Sequence, residues 1–76
     1  MSTLPLDQLK PGTKGKVAAL RETDPQRLKK LMAMGILPGQ PITVIQQYPA
    51  HVFALGHTQL AVDTAIARTI LVTVEA

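Results

Sequence analysis

The sequence predicts an all-β protein with short helices, in which five short strands make a small, closed or nearly closed barrel with one main helix after the first strand. Three observations carry that expectation. Segments rich in Val, Ile, Leu and Thr recur between Pro- and Gly-containing breaks. One longer stretch, Pro25 to Met34, instead sets Leu28, Leu31 and Met32 at helical spacing. The 76-residue chain is 46% hydrophobic yet has only Tyr48 and Phe53 as aromatics, so a compact core has to be aliphatic. A chain this short buries only about 60% of its unfolded surface, and residues 1–76 are expected to form a single domain.

Taken in order, Leu6 and Leu9 bracket a short helical turn or loop that ends at Lys10-Pro11-Gly12, and Gly15 to Leu20 reads as the first strand. Asp24-Pro25 is a helix start, with Asp as N-cap and Pro where a missing N–H costs nothing. The helix is expected to pack through Leu28, Leu31 and Met32, leaving Arg27, Lys29 and Lys30 toward solvent or a partner. Gly35 falls where a helix needs a left-handed residue to stop, Ile36-Leu37 forms an apolar plug, and Pro38-Gly39 fits the centre of a type II turn. Pro41 to Gln47 is the second strand, and Tyr48-Pro49-Ala50 a short break. His51–Leu55 and Thr58–Val62 form a hairpin about Gly56-His57, pairing Phe53 with Leu60, Leu55 with Thr58 and His51 with Val62. One helical turn from Thr64 to Arg68 precedes a closing strand, Ile70 to Val74.

Charge is unevenly spread. Lys10, Lys14, Lys16, Arg21, Arg27, Lys29 and Lys30 against Asp7, Glu22 and Asp24 make residues 1–30 net +4, whereas residues 31–76 come to −1. A basic half suits an acidic protein surface, a nucleic acid or a lipid face. The chain has no cysteine, which removes disulfides and thiolate metal sites. Met-Ser-Thr-Leu-Pro-Leu lacks the basic and apolar regions of a signal peptide, and no apolar stretch approaches the ~18 residues of a membrane span. A cytoplasmic protein is expected.

Little in the chain suggests catalysis. Asp7, Glu22, Asp24, Asp63 and Glu75 are scattered, no nucleophile–base pair stands out, and the glycine-rich phosphate loop is missing. No catalytic residue, cofactor or metal ligand is assigned. His51 and His57 fall at opposite ends of one hairpin strand, roughly 20 Å apart, and cannot share an ion within one chain. Arg27, Lys29 and Lys30 suit nucleic-acid phosphate, but single-strand binders add exposed aromatic platforms; a small basic RNA-binding barrel is an alternative.

The order Leu6-x-x-Leu9-x-Pro11-Gly12, Gly15-x-Val17, Arg27-x-x-x-Leu31-x-x-Met34-Gly35-Ile36-Leu37-Pro38-Gly39, Ile42-x-Val44 and Ala67-x-x-Ile70-x-Val72 resembles the FeoA family of bacterial ferrous iron transport along nearly the whole chain. The resemblance implies an SH3-like barrel related to the C-terminal domain of iron-dependent repressors. It also implies a non-enzymatic accessory protein that acts with FeoB, a membrane permease with a cytoplasmic GTPase domain, and a generic transition-metal association. The chain departs from the family at Val62-Asp63, where many members show Leu-Arg, and at the Tyr48–Ala50 break, which lacks a longer Gly-rich loop. The expectation is an adaptor that docks on the permease, placing it at most peripherally at the inner membrane. Alternatives are a repressor-like SH3 domain for peptide binding or metal sensing, and the RNA-binding barrel. The docking surface is expected to hold Arg27 and Lys30, with Met34 near the helix end and Leu37 in the loop beyond, because positive charge beside an adaptable Met and a loop Leu suits a polar-rimmed contact with an apolar centre.

Overall fold

The computed structural model describes residues 2–74; Met1, Glu75 and Ala76, the ends of the expected 1–76 domain, lie outside the described residues. Six strands, β1 (Ser2–Pro5), β2 (Lys14–Leu20), β3 (Pro41–Gln46), β4 (His51–Leu55), β5 (Thr58–Val62) and β6 (Ile70–Val74), form one antiparallel sheet in the order β1-β6-β2-β3-β4-β5. A 3₁₀ turn (Leu6–Gln8) follows β1, the helix α1 (Pro25–Ala33) joins β2 to β3, and a one-turn helix α2 (Thr64–Ala67) joins β5 to β6.

Five of the six strands are the expected ones, and the hairpin pairs His51 with Val62, Phe53 with Leu60 and Leu55 with Thr58 as its alternation requires. The count of five is corrected to six. Ser2-Thr3-Leu4-Pro5 gives no local strand signal and is extended because it pairs with β6, from Ser2 opposite Val74 to Pro5 opposite Leu71. The two end strands, β1 and β5, are not paired to each other.

Register shifts between Val17 and Ala19 on β2 and between Val44 and Gln46 on β3 bend the sheet. Its inner residues therefore converge: Val17, Ile42, Val44, Phe53, Val62, Ile70 and Val72 share one buried cluster with Leu6, Leu9, Leu31, Ile36 and Ala67 from outside the strands. Of the two plug residues, Ile36 is fully buried and Leu37 half-buried.

A second correction concerns α1. Leu31 is buried and Leu28 half-buried, but Met32 is 45% exposed rather than packed on the core. At about 100° per residue, Met32 sits a quarter-turn from Leu31, and the buried arc is narrower than an i, i+3, i+4 reading assumes.

The helix end is a Schellman motif. The Gly35 N–H donates to the Met32 carbonyl at 3.0 Å, the Ile36 N–H donates to the Leu31 carbonyl at 3.2 Å, and Gly35 has φ +91°. This geometry drops Ile36 directly into the core. Gln40 N–H then donates to the Leu37 carbonyl at 3.2 Å around Pro38-Gly39, with φ +92° at Gly39. Alanine at Gly35 or Gly39 is expected to lower stability by roughly 1 kcal/mol or more, since neither site crowds a Cβ but both hold φ in the left-handed region. Urea midpoints check this; unchanged midpoints for both variants would remove the stop-and-turn account.

Candidate functional site: a groove between the two helices

Asp24 caps α1 by accepting from the Gln26 N–H at 2.9 Å, with Pro25 at the first helical position. With Leu31 anchoring the helix to the core, Arg27, Lys30, Leu31 and Met34 fall at i, i+3, i+4 and i+7 and form one stripe. That stripe is one wall of a groove of about 450 Å³. Ala61 and Val62 at the end of β5, Asp63, and Ile66 of α2 also line it, as does Glu22. Its lining combines apolar Leu31, Met34, Val62 and Ile66 with the charged Arg27, Lys30, Glu22 and Asp63.

The two cations are available. Arg27 Nε lies 3.8 Å from Asp24 Oδ2 with both side chains well exposed, a pair of little energy, and Lys30 makes no ion pair among the described residues. The Asp63 carboxylate caps α2 by accepting from the Ile66 N–H at 2.8 Å. Met34 is 36% exposed and lines the groove with a flexible thioether.

Three of the four residues expected in a docking surface are thus brought together. Leu37 is not among them: it begins the Pro38-Gly39 turn, half-buried and outside the groove. The stretch from Ala61 to Ile66 escaped the reading of the residues in isolation. Its only trace in the sequence is the Val62-Asp63 departure, because what brings it to the groove is the return of the chain after the hairpin.

A second groove, about 460 Å³, lies along Lys14–Val17, Gly39, Pro41 and Thr73, away from α1's stripe. Among the described residues no three His, Cys, Asp or Glu side chains come together. His51 is buried, its Nε2 3.1 Å from the Thr64 hydroxyl, which ties β4 to α2, while His57 is exposed at the hairpin turn. Asp7 faces Arg68 at 3.6 Å, and its other carboxylate oxygen is buried without a hydrogen bond. Phe53 is in the core and Tyr48 stands alone on the surface, so no aromatic platform accompanies the basic residues.

A family model described as the FeoA domain matches residues 4–74. Among solved structures, a crystal structure of an iron uptake regulatory protein (FeoA) superimposes with a TM-score of 0.83 at 27% identity, covering 95% of this chain and 96% of that one. A solution structure of iron(II) transport protein A from Clostridium thermocellum gives a TM-score of 0.82 at 27% identity, over 93% of this chain and 45% of that one. A manganese-dependent transcriptional repressor gives 0.88 at 21% identity over 96% of this chain but only 42% of the repressor, a likeness of fold alone. No curated protein matches in sequence. The antiparallel sheet with few short helices is the small SH3-like fold of these structures.

Proposed function

The chain belongs to the FeoA family, and from that premise we propose that it is a cytoplasmic, non-enzymatic adaptor that docks on the FeoB-type ferrous iron permease and modulates it. A role in ferrous iron transport comes with membership of the family. The observation that supports docking is the convergence of Arg27, Lys30 and Met34 on one groove that Leu31, Val62 and Ile66 also line. The cations steer an acidic face of the cytoplasmic GTPase domain, and Met34, Leu31 and Ile66 receive an apolar group at its centre. A small rigid domain biases a two-state partner only by binding one state better than the other, so affinity is expected to differ between nucleotide states of the permease.

Reversing both charges (Arg27→Glu with Lys30→Glu) is expected to slow association about tenfold at low salt and flatten its salt dependence, with thermal unfolding unchanged. Met34→Ala is expected to speed dissociation by up to about tenfold. Surface-immobilised permease cytoplasmic domain, with and without guanine nucleotide, gives both rates. A folded charge-reversed protein that binds like wild type at low salt would rule this face out. The repressor-like alternative, peptide binding or metal sensing, has the fold likeness behind it; micromolar, stoichiometric metal binding lost on His57→Ala would favour it.

A further inference from the structure

Sheet edges are usually defended, because unpaired N–H and C=O groups recruit another strand. The two edges here are treated differently. β1 has four residues and ends in Pro5, which cannot donate. β5, Thr58-Gln59-Leu60-Ala61-Val62, carries no charge and no proline, and pairs with β4 without a register shift.

The hairpin register fixes which groups are free. Leu55 and Thr58 are partners flanking the two-residue turn, and in a two-residue hairpin the flanking pair is the hydrogen-bonded one. Alternation makes Phe53–Leu60 and His51–Val62 hydrogen-bonded as well, and turns the backbone groups of Gln59 and Ala61 away from β4. Both residues are exposed, and among the described residues neither makes a backbone hydrogen bond outside the ladder.

We infer that the open edge of β5 pairs antiparallel with the β5 of a second copy of this chain, joining two sheets into one across a two-fold axis at Leu60. The occupant follows from self-complementarity. With Leu60 opposite Leu60 of the second copy, Gln59 exchanges N–H···O=C bonds with Ala61 of the second copy, and Ala61 does the same with its Gln59. The same register sets Asp63 of each copy opposite His57 of the other. Both side chains are exposed in the monomer, so a carboxylate meets an imidazole donor at both ends of the seam. Half-buried Leu60 gains cover at the centre. The seam is one strand long, so the association is weak and concentration-dependent.

Sedimentation equilibrium of the full chain from about 10 µM to about 1 mM tests this. The wild type is expected to rise from 8.2 kDa toward twice that mass. Ala61→Pro removes one outward N–H that β4 does not use; it is expected to stay monomeric throughout and to keep its far-UV spectrum. Should that variant unfold, amide exchange of the wild type decides: protection at Gln59 and Ala61, and not at Thr3, should grow with concentration. A wild type that stays at monomer mass overturns the inference. So does an Ala61→Pro protein that associates as well as wild type, or exchange at Gln59 and Ala61 that does not depend on concentration.

Discussion

Phe53→Ala is expected to lower the melting temperature by at least about 12 °C. Phe53 is fully buried and central to the one cluster that β2, β3, β4, β5 and β6 share with Leu31 and Ile36. It is also the largest side chain there, in a core otherwise built from Leu, Ile, Val and Ala. Removing a buried phenyl ring costs about 3–5 kcal/mol, the lost transfer energy plus the cavity. A chain this size has about 4–11 kcal/mol in total, so the loss is about a quarter of the stability or more. At about 4–8 °C per kcal/mol, the melting temperature should fall by at least about 12 °C. Phe53→Leu, which keeps most of the volume, should recover most of that loss. A melting temperature within about 4 °C of wild type for the alanine variant would mean the core is not organised around this ring.

The second large effect is expected at Gly15. In β2 it lies opposite Val74 of β6, and a Cβ there would fall 2.9 Å from Val72 Cγ1 and closer still to the Thr73 carbonyl oxygen. The carbonyl is backbone and cannot swing aside, so Gly15→Ala has to push β2 and β6 apart. Overpacking of this kind costs about 1–3 kcal/mol and occasionally more. The upper part of that range is expected because β6 joins β2 to β1, so displacement of the pair disturbs β1 as well. Here the reason is close approach and not a left-handed backbone, which separates Gly15 from Gly35 and Gly39. Hydrogen exchange should localise the damage: amides of β6 lose protection relative to those of the β4–β5 hairpin. Uniform loss of protection, or a melting temperature unchanged from wild type, would contradict the steric account.

Much of this architecture is written in residues close to one another along the chain. Asp24-Pro25 starts α1, and Gly35 ends it with bonds to Met32 and Leu31. Pro38-Gly39 makes the next turn, and Gly56-His57 with strict alternation on both sides fixes the hairpin register. Asp63 starts α2 by capping Ile66. Each is a matter of backbone preference or of a hydrogen bond spanning a few residues, which a linear sequence displays directly. The family resemblance rests on the same local units in the same order.

Other features needed contacts across the chain. β1 is a strand only because β6, some seventy positions on, offers it a ladder. The helical spacing of Leu28, Leu31 and Met32 fits more than one buried arc, and the side that packs was settled by where the bent sheet and Ile36 leave room; Met32 is thereby exposed and Met34 turned toward the groove. The groove itself joins Arg27, Lys30 and Met34 to Ala61, Asp63 and Ile66, some thirty residues apart in sequence, and leaves out Leu37, a near neighbour of Met34. Gly15 reads from sequence as a glycine in a strand, and only the approach of Thr73 gives the reason for it. Local conformational preferences were therefore sufficient to set the elements, whereas faces, edges and grooves came from packing, because burial is decided by which distant surfaces meet.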